Sequence, residues 1–220
     1  SRFTERNGIV SPDGRWLAVR SLSGVRVWNA ANGELVATLP ASSAPGRRRH
    51  FAFSPDSRRI ALSERQTTQI WSLPEGSPIG ESIDSAPANV YDLSFSGSGE
   101  RLLVWNNRAA LVCDARTGKL GRPPLPVDFN TTDDVLFTPD GTRLVKTSVD
   151  TTVQVINIES GQPAFPPLLH GGLVFDLSFQ QEGKILVTNS VDGLFRFWDL
   201  TTGNLHAAPP AREPEYTPIS

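Results

Sequence analysis

Hydrophobic and polar positions along the chain repeat one pattern five times. Each copy opens with a short run ending in an aromatic or branched residue, as in VYDLSF at 90–95 and LVFDLSF at 173–179. A polar turn follows, then a short apolar run: WLAV, RIAL, LLVW, RLVK and ILVT. A second turn leads to an alternating run: VRVW, TQIW, ALVC, VQVI and FRFW. Alternation and β-branched enrichment over four to six residues, bounded by turn residues, indicate strands. No stretch shows helical periodicity. The last run of each copy carries prolines, among them Pro78, Pro123, Pro124, Pro126, Pro166 and Pro167. Proline cannot donate to a central ladder, so this fourth strand belongs at a sheet edge. The prediction is a set of four-stranded sheets with the first strand innermost and the fourth outside.

Two landmarks fix the period. VSPDGRW, FSPDSRR, FSGSGER, FTPDGTR and FQQEGKI begin at Val10, Phe53, Phe95, Phe137 and Phe179, spacings of 43, 42, 42 and 42. WNAANG, WSLPEG, CDARTG, INIESG and WDLTTG begin at Trp28, Trp71, Cys113, Ile156 and Trp198, spacings of 43, 42, 43 and 42. A fixed period of this length is the signature of a repeat architecture, in which each unit buries its faces against its neighbours.

The Pro-Asp-Gly turn, the Trp-Asp landmark and the period together resemble the WD-repeat family over about residues 4–206. The resemblance implies an all-β fold, a β-propeller of four-stranded antiparallel blades. Five blades are expected, at about 1–43, 44–85, 86–127, 128–169 and 170–206, with a Pro-rich tail at 207–220. The family usually closes with seven blades. The chain starts at Ser1 without a methionine and shows no spare strand to act as a clasp. Either the five blades close tightly unaided or, as we expect, the chain is part of a larger propeller, with blades or another domain upstream. The segment GQPAFPPLLHGG (161–172) resembles repeats of large bacterial proteins.

Composition changes this picture little. Net charge is −2 and charged residues make up 20%. No basic field calls for nucleic acid or an anionic membrane. No apolar run reaches the ~18 residues of a membrane span. A single cysteine, Cys113, excludes an internal disulfide and is compatible with a reducing, cytoplasmic setting.

Candidate chemistry is sparse. The resemblance implies a hydrogen-bonded set in the last blade, made of His170, Ser190, Asp192 and Trp198. It is a structural relay satisfying the indole N–H, rather than a catalytic triad. The fourth blade keeps Ser148 and Asp150 but has Ile156 in place of Trp. Asn7, His50, Asp92, Asp134 and Asp176 share one register three residues before the first landmark, where an acidic ring could hold a cation. Backbone hydrogen bonding is the plainer expectation. Arg47, Arg48 and Arg49, with Arg58 and Arg59 at the other end of the strand, read as solvated charge before they read as an anion site. Arg49, Tyr91, Asp133 and Phe175, four before the landmark, and Trp105 at the end of a strand, are the expected partner contacts. Tyr, Trp and Arg dominate binding hot spots. Cys113 reads as a packed small hydrophobe. No cofactor, metal or nucleotide motif is found.

The expected function is thus a non-catalytic scaffold whose top face docks a protein or peptide. A sensor propeller of a larger kinase or switch ATPase, and a propeller holding a cation or small ligand in its channel, are the competing readings.

Overall fold

The computed structural model describes residues 8–21, 24–40, 49–126 and 135–206. These form five four-stranded sheets, each with its strands in chain order. The first holds β1 (Gly8–Val10), β2 (Trp16–Ser21), β3 (Gly24–Asn29) and β4 (Leu35–Pro40). The second holds β5 (Arg49–Phe53), β6 (Arg59–Glu64), β7 (Thr67–Ser72) and β8 (Pro78–Asp84). The third holds β9 (Asp92–Phe95), β10 (Arg101–Trp105), β11 (Ala109–Asp114) and β12 (Leu125–Pro126). The fourth holds β13 (Val135–Phe137), β14 (Arg143–Thr147), β15 (Thr152–Asn157) and β16 (Leu168–Leu169). The fifth holds β17 (Val174–Gln180), β18 (Ile185–Ser190), β19 (Phe195–Asp199) and β20 (Leu205–His206). Every pairing is antiparallel. Among the described residues the one helical element is a 3-10 turn, Gln181–Gly183. β9 packs against both β5 and β13, so first strands of successive sheets sit together on the inner side. Fourth strands lie outermost, where proline is tolerated, and three of them are only two residues long.

The two-residue period of a strand sends alternate side chains to opposite faces, and each face meets a different neighbour. In the third sheet Leu102, Val104, Leu111 and Cys113 pack with Ala61, Ile70 and Ile83 of the second. The intervening Leu103, Trp105, Ala110 and Val112 pack with Val135, Phe137 and Leu144 of the fourth. The first and second sheets join through Val25, Val27, Leu39, Ile60 and Leu62. The fourth and fifth join through Val145, Val155, Leu168, Leu186 and Trp198. Core leucines such as Leu102, Leu103 and Leu186 are fully buried, and each contributes about 1.5–3 kcal/mol. The core is therefore four layers between sheets, with no single centre. From the second sheet to the fifth, the tryptophan landmark position (Trp71, Cys113, Ile156, Trp198) faces the preceding sheet, and among the described residues no hydrophobic cluster joins the fifth sheet back to the first.

An arginine at the start of the second strand ties sheets forward. Arg59 Nη1 donates to the Ala115 carbonyl of the third sheet at 3.3 Å. Arg101 Nη1 donates to Gly141 O at 3.3 Å and Nη2 to Glu159 at 2.9 Å, both in the fourth. Arg143 Nη1 donates to Leu200 O in the fifth. The same register holds Trp16 in the first sheet and Ile185 in the fifth.

One contact brings main chains together. Glu81 N donates to Thr117 O at 2.9 Å, joining β8 to the turn after β11. A Cβ at Gly118 would lie 2.1 Å from Glu81 O, and one at Gly80 would lie 2.2 Å from Thr117 O. Gly118 also has φ +73°. Only glycine meets both demands.

Candidate functional site

The fifth sheet carries a buried polar relay. Leu186 pairs with Trp198 across β18 and β19. Two residues along, Thr188 therefore shares the face of Trp198. Trp198 Nε1 donates to Thr188 Oγ1 at 3.1 Å. His170 Nε2 meets the same hydroxyl at 2.7 Å, and Nδ1 lies 3.1 Å from Leu168 O. The His170 and Trp198 rings sit 5.3 Å apart, tilted. Thr188, and not the expected Ser190, is thus the hydroxyl that links histidine to tryptophan. Ser190 and Asp192 form a second group. Ser190 Oγ donates to Asp192 Oδ1. Asp192 also accepts from Gly171 N at 2.9 Å, Leu194 N at 3.0 Å and Arg196 Nη2 at 2.7 Å. These donors, led by Arg196, hold the Asp192 carboxyl far below the usual carboxylate range. No nucleophile emerges. Every polar atom of the relay is spent on another.

Burial, with Arg196 nearby, pushes His170 below its ordinary value. The unfolded chain then binds a proton on this histidine more readily than the fold does. Stability from the neutral ring is full above the ordinary value near ~6.5 and declines as pH falls below it. Thermal melts at pH 7.5 and pH 5.5 are expected to show that decline, and His170→Gln to reduce it. An unchanged pH dependence in the variant would remove His170 from the relay.

The other sheets lack this relay for a legible reason. The position of Thr188 is Val19, Leu62, Val104 and Lys146 in the first four sheets, by strand register. Trp71 Nε1 is buried with no hydrogen-bond partner among the described residues, because Leu62 stands where a hydroxyl would be.

The ends of the sheets that carry the turns between second and third strands form an upper surface. Three segments meet there across the fourth and fifth sheets. His170 N donates to Thr151 O at 3.1 Å. Gly171 N donates to Asp192. Val191 N donates to Leu173 O at 2.8 Å. The connection at 169–173 is therefore clamped between the turns at 148–151 and 190–193. Val149, Leu169, Leu173 and Val191 are exposed on these segments, and Leu194 and Phe195 are exposed directly after the last of them. Phe175 lies in a bulge between Val174 and Asp176, which breaks the alternation and turns its ring out to 38% exposure.

The expected contact residues divide. Tyr91 and Trp105 meet edge to face at 5.8 Å, and Trp105 is only 6% exposed. Both belong to the packing between the third and fourth sheets. Phe175 is on the surface. Arg49 begins β5, and its side chain lies outside the described residues, as do Asp133, Asn7, Asp134, Arg47, Arg48 and the tail at 207–220. In the inner register, His50 Nδ1 lies 3.4 Å from Asp92 Oδ1 across the second and third sheets. Asp92 also accepts from Leu93 N. No group of three or more metal-ligating side chains forms among the described residues. Arg59 bonds Asp56 at 3.3 Å and lies over the Phe95 ring, so its charge is used inside the fold. Cys113 is buried, and burial, with Asp114 adding, pushes its thiol up to about 12. Sequence reasoning missed Thr188 and the exposed turn valines. The Thr188 signal lay in cross-strand register to Trp198, and the valine signal in apolar residues at turn positions.

A model of the WD domain, G-beta repeat, matches residues 168–199. Periodic tryptophan protein 2 of Arabidopsis thaliana is 22% identical over 206 residues, covering 89% of this chain and 22% of that protein. WD repeat-containing protein SL1-17 of Schistosoma mansoni is 30% identical over 173 residues, covering 74% of this chain and 55% of that protein. The chain thus spans about a fifth and about half of these relatives. Both organisms are eukaryotes, which lends no support to a bacterial style of repeat. Among solved structures, the Cps50 (Swd1) β-propeller domain of Myceliophteria thermophila superposes with a TM-score of 0.67 at 15% identity, over 90% of this chain and 67% of that one. The fold is that of a β-propeller, and the relatives support a WD-repeat relationship. No helix among the described residues is long and apolar enough to cross a membrane.

Proposed function

We propose that the chain is a non-catalytic docking platform that holds a protein or peptide partner on its upper surface. The observation that carries this is the concentration of exposed large hydrophobic side chains at the upper end of the fourth and fifth sheets. Exposed apolar clusters of this kind mark interaction surfaces. The relay beneath them supports the reading, since its polar groups rigidify the surface and offer no reactive atom.

We also read the chain as an arc of a larger ring. The aligned part, 90% of 220 residues, is 67% of the Cps50 chain, which puts that chain at about 300 residues, or about seven periods of 42.

The test is affinity purification with variants that make one end polar. Val191→Ser with Phe175→Ser is expected to lose co-purifying partners. Leu120→Ser, at the opposite end, is expected to keep them. Retention in the first and loss in the second would overturn the upper-surface reading.

A further inference from the structure

We infer that the clamped upper end of the fourth and fifth sheets binds a cationic, apolar segment of a partner protein. This rests on the docking reading above and names the chemistry of its partner.

Two residues mark the site. Val149 and Val191 occupy the same turn position one period apart, and they are 45% and 68% exposed. Tight turns favour Gly, Asn, Asp and Ser, and an outward valine gains nothing there for the fold. Leu169, Leu173 and Leu194 extend the apolar surface between them. The hydrogen bonds from His170 N to Thr151, from Gly171 N to Asp192 and from Val191 N to Leu173 make the three segments one piece. A surface already fixed in this way spends little ordering free energy when a partner arrives.

The charge around the patch selects the partner. Asp150 is exposed, and Thr152, donating from its hydroxyl and its amide, holds the carboxyl below the ordinary value. Asp176 is exposed beside Phe175. The cations of this end are turned inward. Lys146 is buried, and Arg196 faces the Asp192 carboxylate with both of its terminal nitrogens. His170 is buried and neutral at neutral pH. The exposed formal charge is therefore acidic around an apolar centre. Lysine or arginine flanking two or three large apolar side chains complements it.

A further sheet of the propeller is the competing occupant. It would lie on the lateral face of the fifth sheet that carries Val187 and Phe197. These hold the register of Leu103 and Val112, which the fourth sheet covers. Val149 and Val191 sit in turns beyond the ends of the strands and stay exposed in that case.

The test selects 12-residue peptides from a phage-displayed random library on the 220-residue chain and measures their binding by fluorescence anisotropy. The recovered peptides are expected to combine large apolar residues with Lys or Arg. Val149→Ser with Val191→Ser should weaken binding at least ten-fold, while the thermal melt stays unchanged. Asp150→Asn, which keeps the turn's acceptor oxygen, should weaken it about three-fold and flatten its salt dependence. Leu35→Ser, at an equally exposed apolar residue of the first sheet, should change nothing. Acidic peptides, or an Asp150→Asn variant that binds as before, would overturn the cationic partner. Peptides that bind the double valine variant unchanged would overturn this site and leave the docking reading standing. Recovery of no peptide would overturn both, and flotation of the chain on phosphatidylcholine vesicles would then assign the patch to lipid.

Discussion

Gly118→Ala is expected to destabilise the chain by about 3 kcal/mol or more in chemical denaturation. Two costs combine. The residue sits at φ +73°, and a side chain in the left-handed region costs about 1–2 kcal/mol. The new Cβ would also stand 2.1 Å from Glu81 O, so main chain must move. That movement would break the bond from Glu81 N to Thr117 O that joins the second and third sheets. Loss of that hydrogen bond adds about 0.5–1.5 kcal/mol. Gly33 supplies the control. It holds the equivalent turn of the first sheet at φ +71°, and a Cβ added there would meet nothing within 4 Å. Gly33→Ala is therefore expected to cost only about 1 kcal/mol. Equal losses in the two variants would show that the close approach between sheets carries no weight.

Thr188→Val is expected to cost about 2–4 kcal/mol, because valine keeps the shape and removes both hydrogen bonds of the relay. Trp198 Nε1 loses its acceptor and His170 Nε2 its partner, both inside the fourth–fifth interface. Ser190→Ala is expected to cost about 1 kcal/mol, since Asp192 keeps Gly171 N, Leu194 N and Arg196. Urea melts of the two variants decide between the hydroxyls. A larger loss at Ser190 would mean that the relay runs through that residue after all.

That pair of variants also shows how far the sequence could be read. The period, the strand order and the place of the tryptophan landmark follow from spacing and alternation, because the same faces must be buried five times over. The link between His170 and Trp198 was legible only through the family resemblance, since no other copy carries the histidine. The choice of hydroxyl was not. Thr188 and Ser190 are two residues apart on one face of β18, and only the pairing of Leu186 with Trp198 brings Thr188 under the indole. The expected contact residues divide for a related reason. Tyr91 and Phe175 hold the same register, but Trp105 covers Tyr91 in the third sheet. In the fifth, Asn189 stands in the register of Trp105, and a bulge turns Phe175 outward. Exposure at one register was set by a neighbour on another strand, which a repeat alignment alone does not weigh.

The forward arginines bear on how the protein leaves the ribosome. Arg59 is made 56 residues before Ala115, and Arg143 is made 57 before Leu200. Each sheet can complete its own ladder while its guanidinium still waits in water for a carbonyl not yet synthesised. Emergence therefore runs in the direction of the ties: the older sheet holds out a charged arm, and the newborn one closes on it. Stalled translation would leave a dangling, solvated arginine, a state that water tolerates well. The reverse polarity would leave the growing end to search backward for a finished partner.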